Sequence, residues 1–181
     1  MRTFKTEGII IKRRNSGEAD RFVTLFTKDL GKISVKAQGV RRIASKRSSH
    51  IELLNHSVLS LYRGAKYPTL IEVQTIQDFS AIKSDLDKVG IAYHICELID
   101  GLCPENQENP EIYLLLRSTL EKLAYVEDMP VFLHTFEVQL LTLLGFWYQT
   151  VDAAKNLDTH NFIEGILERK LKSHKIFAKM Q

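Results

Sequence analysis

Two cysteines in 181 residues are too few for a disulfide framework. Cys96 and Cys103 lie seven apart in a stretch of helical pattern, so roughly 10 Å of helix axis separates them. A disulfide needs Cα atoms within about 7 Å, so both are expected as buried thiols in a reducing compartment. Two cysteines also fall short of the four ligands of a structural zinc site. The apolar run Ile9-Ile10-Ile11 is too short for a signal peptide or a membrane span, and a cytoplasmic location is expected. There is no Gly-x-x-x-x-Gly-Lys, no Gly-x-Gly-x-x-Gly and no His-Glu-x-x-His. The histidines at 50, 56, 94, 134, 160 and 174 are scattered, and none pairs with a carboxylate or serine in a spacing that calls for catalysis. His94 and His134 are expected as core or surface residues of helices. No metal, no cofactor and no catalytic residue is expected. Internal repeats, low-complexity tracts and long linkers are absent as well.

One further absence is the informative one. The run from Leu30 to Ile51 contains no acidic residue, yet it carries Lys32, Lys36, Arg41, Arg42, Lys46 and Arg47. Its first half alternates like a β-strand, and from Gly39 onward Gly, Ser and cations predict an exposed loop. A basic strand feeding a basic loop is the electrostatic footprint of polyanion binding. The net charge of +3 hides how localised this is. Residues 1–80 hold 15 Lys and Arg against 7 Asp and Glu, a net +8, whereas residues 81–181 hold 10 against 15, a net −5. The pattern predicts a binding module joined to a part with a different task.

Residues 1–80 read as all-β. Strands are expected at Glu7–Arg14, Arg21–Thr27, Lys32–Gln38, Ser57–Tyr62 and Leu70–Ile76. Turn chemistry separates the first two at Asn15-Ser16-Gly17-Glu18, and Lys28-Asp29-Leu30-Gly31 makes a hairpin loop. Five short strands with one long basic loop suit a small Greek-key barrel of the OB type, or another five-stranded barrel or sandwich. The pattern then switches to a 3.6 period near Asp78–Ser84. A helix apolar on nearly every face is expected from Ile82 to Leu102. Asn109-Pro110-Glu111 opens a second helix and Asp128 with Pro130 a third, which Gly145 closes. A last helical pattern runs over Asp158–Lys179 and ends in a basic cluster that includes Arg169, Lys172 and Lys175. The expected class is α+β, with a five-stranded barrel in residues 1–80 and an all-helical domain in residues 81–181.

Binders of single strands combine basic grooves with aromatic platforms. Phe22 and Phe26, at strand spacing, are expected in the barrel core, while Tyr62 and Tyr67 stand between core and platform. Arg13 and Arg14, adjacent on one strand, point to opposite faces. Two rival readings remain: an adaptor whose acidic helical half recruits proteins, and an RNA-binding OB protein.

Several ordered segments together resemble one family. Thr6-Glu7-Gly8-Ile9-Ile10, Gly17-Glu18-Ala19-Asp20-Arg21, Thr24-Leu25-Phe26-Thr27, Gly31-Lys32 and Gly39-Val40-Arg41-Arg42 resemble the N-terminal signature of the RecO family of bacterial DNA repair proteins. Phe136–Phe146 is similar to a helix of that family's C-terminal domain, and Leu171–Lys175 to its usual chain end. The resemblance implies an OB-fold, a helical domain and a recombination mediator that binds single- and double-stranded DNA and anneals complementary strands. It implies work with RecR, loading RecA onto strands coated by single-strand-binding protein, in the cytoplasm at the nucleoid. The family's Gly-x-Arg-Arg loop falls on Gly39, Arg41 and Arg42, and the resemblance places a DNA-contact role on the two arginines. Many members carry a four-cysteine zinc module after the helix matched by Phe136–Phe146; Phe146–His160 has no cysteine here, so no zinc is carried over.

Overall fold

The computed structural model describes residues 2–148 and 157–173. The chain divides into two compact units, one of Met1–Phe79 with Pro104–Tyr113, the other of Ser80–Cys103 with Leu114–Gln181. A single cut near Asp78–Ser84 therefore misses the return of Pro104–Tyr113 to the first unit.

The first unit is built on five strands: β1 (Thr3–Ser16), β2 (Asp20–Thr27), β3 (Gly31–Ala37), β4 (His56–Tyr62) and β5 (Thr69–Gln77). They close into a barrel in the order β1-β2-β3-β5-β4. β1 is long enough to serve both sides of the closure. Its first half pairs antiparallel with β4 (Phe4 opposite Leu61) and its second half with β2 (Arg13 opposite Val23), with a register shift between Ile10 and Lys12. Such a bulge bends a strand, which lets one strand turn from one neighbour to the other. β3 and β5 meet in parallel only at Lys36 and Thr69.

Alternation decides what fills the barrel. Ile10, Val23, Leu25, Ile33, Val35, Leu59, Leu61 and Leu70 form the core, joined by Val40 and Ile51 from the connection between β3 and β4. Phe22 is not among them. Its neighbours across the sheet are Arg14 and Lys36, so it shares their outer face, half-buried against the Tyr67 ring at 5.1 Å. The expectation of a core Phe22 fails because Val23 and Leu25 take the inner register. Phe26 is buried but likewise outside that core. Elsewhere in this unit, Glu7 and Tyr113 meet at 2.8 Å around buried His56, which lies 2.8 Å from Glu7 and 2.9 Å from the tyrosine hydroxyl.

The second unit is helical. α1 (Ser80–Lys83) and α2 (Leu86–Leu102) replace the single helix expected from Ile82. The break has a local cause: Asp85 is extended and its carboxylate accepts the Asp87 and Lys88 N–H groups, restarting the helix as an N-cap. α3 (Pro110–Leu123), whose first turn belongs to the first unit, starts at Asn109, whose side chain accepts the Ile112 N–H. α4 (Met129–Leu143) is capped by Asp128 and leaves through Gly145, at φ 79°. α5 (Thr159–Leu167) stops where Glu168 turns left-handed at φ 52°, well before the expected Lys179. Cys96 and Cys103 are buried, and burial pushes the Cys96 thiol up to about 12. Among the described residues no helix is long and apolar enough to cross a membrane.

Candidate nucleic-acid interface

The β1–β2 turn and the segment after β3 form one structure. Asp20, at the start of β2, accepts the Gly39 N–H at 2.9 Å and pairs with Lys36 at 3.2 Å. The Gly39 bond and then the Lys36 ammonium hold its carboxyl below the usual range. Arg41 donates its own N–H to the Ala19 carbonyl at 3.0 Å and its guanidinium to the Gly17 carbonyl at 2.8 Å. Residues 17–20 thus form the cradle on which residues 39–41 rest. Gly39 sits at φ 66°, the left-handed region that glycine enters at least cost.

Arg47 holds the other side of the loop. Its guanidinium reaches the carbonyls of Gln38 at 2.9 Å, Leu70 at 3.1 Å and Ile71 at 3.4 Å. This spends the planar fork on backbone and makes Arg47 a positioning residue. Arg47→Ala is expected to destabilise the unit by about 1–3 kcal/mol. Arg47→Lys is expected to melt like the alanine variant, because an ammonium does not span three carbonyls; recovery of the wild-type Tm by lysine would show that charge alone matters.

Between these anchors the outward cations are left standing. Arg42 and Lys46 are exposed, and their side chains make no hydrogen bond or ion pair among the described residues. With Gln38, Gly39, Ser45, Arg47 and Asp20 they line an open concavity of about 630 Å³. Arg13 and Arg21 lie beside it and share one carboxylate, Glu52, at 2.5 and 3.8 Å. Partial burial, then repulsion from Arg13 and Arg41, pulls the Arg21 pKa down. Cations that repel one another across a surface are relieved by an incoming anion. On the adjoining outer face Arg14 lies 5.5 Å from the Phe22 centroid, and Lys66 5.5 Å from that of Tyr67. Tyr67 is 37% exposed.

Of the expected site residues, Lys36, Arg41, Arg42, Lys46 and Arg47 lie on the loop or on its support in the first unit. Lys32 is only 7% exposed at the far end of β3, where its carbonyl accepts the Asn106 N–H. Arg169 and Lys172 belong to the second unit. Arg169 pairs with Glu97 at 2.9 Å, and the same carboxylate accepts the Lys172 N–H and both the N–H and hydroxyl of Ser173. Lys175 lies outside the described residues. Charge counting misses Asp20 as organiser of the loop, Arg13 and Arg21 as its flank, and the Phe22–Tyr67 pair; the signal for Asp20 is its place in the Gly17–Arg21 segment.

Partial burial raises the Glu97 pKa, but the Lys172 N–H, Arg169 and Ser173 outweigh it and hold it at about 2. A carboxyl lowered on folding from 4.5 contributes stability that is complete above that pH and lost as pH falls toward about 2. Glu97→Gln is therefore expected to destabilise the chain at neutral pH, with the difference from wild type shrinking between pH 4.5 and 2. Denaturant melts across that range check it; a difference independent of pH contradicts the role given to Glu97.

Among the described residues no group of three or more His, Cys, Asp or Glu gathers as a metal site. His94, buried in α2, touches Glu137 at 2.8 Å and Ser173 at 2.6 Å, and Ser173 is itself 4% exposed.

Comparison with known proteins agrees along the chain. Residues 1–79 match the family model "Recombination protein O N terminal", and residues 83–173 match "Recombination protein O C terminal". A DNA repair protein RecO of Dehalococcoides mccartyi is 42% identical over 79% of this chain and 56% of its own length. The Roseiflexus protein of that name is 36% identical over 84% and 54%, and that of Symbiobacterium thermophilum 34% identical over 81% and 58%. The chain spans somewhat over half the length of these curated relatives. The chain belongs to the RecO family of DNA repair proteins.

Proposed function

We propose that the barrel is an OB-fold and that its 38–47 loop binds the phosphates of single- and double-stranded DNA without reading bases. The observation that carries this is the division of labour among the loop cations. Arg47 and the Arg41 backbone fix the loop to the barrel, while Arg42 and Lys46 line one concavity, and the Lys36 and Arg41 side chains, on the Asp20 carboxylate and the Gly17 carbonyl, add charge. A pre-formed cationic surface loses little conformational freedom on binding, and released counterions supply the driving force. Four phosphates neutralised on a single strand correspond to a log–log salt slope of about −3.

Neutralising two complementary strands lowers their repulsion and lets them pair, so annealing follows from binding alone. In this reading the chain carries out no catalytic step. It acts in the cytoplasm at the nucleoid as a recombination mediator, working with RecR to load RecA onto strands coated by single-strand-binding protein. The test is annealing of two labelled complementary oligonucleotides precoated with single-strand-binding protein, across a salt series. Acceleration that fades with salt is expected. Absence of acceleration while DNA binding persists would shift the role to protein recruitment. Equal competition by a matched RNA would show that the polymer is not distinguished.

A further inference from the structure

Ile43 stands at the tip of the basic loop with its side chain wholly in water, 107% exposed. Its neighbours on one side are Arg41 and Arg42, and three residues on is Lys46. The Ser45 N–H bonds to the Arg42 carbonyl at 2.9 Å, so Ile43 and Ala44 are the corner of a four-residue turn. Turn corners favour Gly, Pro, Asn, Asp and Ser, each for its backbone or its short polar side chain. A branched aliphatic residue has no such reason to be there. Nor does the loop lack places to bury one, since Val40 and Ile51 both turn into the barrel core with no exposure. Bonds from Arg41 to Ala19 and from Arg47 to Gln38 hold the chain to the barrel on both sides of the tip.

A rigid support, an apolar tip and flanking cations are the parts of a wedge. Aliphatic side chains enter between adjacent bases and unstack them when nearby arginines hold the backbone. We propose that Ile43 inserts between neighbouring bases of the strand held by Arg41 and Arg42. This rests on the phosphate-binding reading above and adds a second act to it. The bound strand is opened at one step, which keeps its bases available for a complement. An aliphatic wedge needs no base identity, so it fits a surface that does not read sequence.

The test uses the full chain and an oligonucleotide carrying 2-aminopurine, whose fluorescence rises when it is unstacked. Wild type is expected to raise the signal at least about twofold at saturation. Ile43→Ser is expected to lose most of that rise while keeping the salt slope and an affinity within about threefold. Ile43→Leu is expected to retain the rise. A signal from Ile43→Ser equal to wild type, or no rise with wild type, overturns the wedge. Loss of binding to RecR by Ile43→Ser with the fluorescence rise intact overturns it too, and assigns the tip to a protein contact. Failure of the underlying reading looks different: Arg41→Ala with Arg42→Ala then binds like wild type.

Discussion

Arg41→Ala with Arg42→Ala is expected to weaken binding to single-stranded DNA by about ten- to a hundredfold at moderate salt. Two charge-assisted phosphate contacts of about 1 kcal/mol or more each set that scale. The log–log salt slope is expected to become shallower by about 1.4, since each phosphate contributes about 0.7 on a single strand. The loss should be the same for oligonucleotides of different sequence, because phosphate contacts carry no base information. Arg41 also bonds the Gly17 carbonyl, so a thermal melt must accompany the binding data. That bond is exposed and its loss is expected to cost less than about 1 kcal/mol. Fluorescence anisotropy across a salt series measures both affinity and slope. Unchanged affinity and slope in a folded double variant would remove the loop from the site.

The largest effect on stability is expected at Gly31. Its φ is +65°, and a Cβ there would stand 1.8 Å from the Gln107 carbonyl oxygen and 2.4 Å from its carbon. Both partners are backbone, so the clash is relieved only by moving the returning segment. That segment is held by the Asn106 N–H on the Lys32 carbonyl at 2.8 Å. Gly31→Ala therefore combines a left-handed backbone, about 1–2 kcal/mol, with displacement of residues 105–108, for about 2–4 kcal/mol together. At about 2–4 °C per kcal/mol for a chain of this size, Tm is expected to fall by about 5–15 °C. Gly17→Ala is the control. Gly17 is also left-handed, at φ +59°, but nothing lies within 4 Å of its Cβ position. It is expected to cost about 1 kcal/mol. Equal melting of the two variants would contradict the packing role given to Gly31.

Much of the fold was legible because its signals are local. A β-branched run, alternation and turn residues marked all five strands to within a few residues, and Asn109 and Asp128 marked helix starts. Alternation gives two faces of a strand without saying which is inside. On β2 the two phenylalanines outweighed Thr24 between them, although that set faces Lys36, Ser34 and Lys32 across the sheet. The contact of Gly31 with Gln107 joins residues 76 apart and follows from tertiary packing that no periodicity carries.

The candidate site was legible as charge but not as geometry. Six cations without a counter-charge single out the run that contains the loop. Counting treats every cation alike, whereas the structure buries Lys32, ties Arg47 to three carbonyls and exposes Arg42 and Lys46. The segments Gly17–Arg21 and Gly39–Arg42 are about 20 residues apart in sequence and make one unit through the Asp20–Gly39 and Ala19–Arg41 bonds.

Hydrogen exchange of the full chain, with and without a saturating poly-dT oligonucleotide, tests most directly whether DNA lies on this loop. Protection is expected to centre on residues 38–47 and the 17–21 cradle, and to fade as salt is raised. Protection confined to the helices of the second unit, with residues 38–47 exchanging as in the unbound chain, would contradict it.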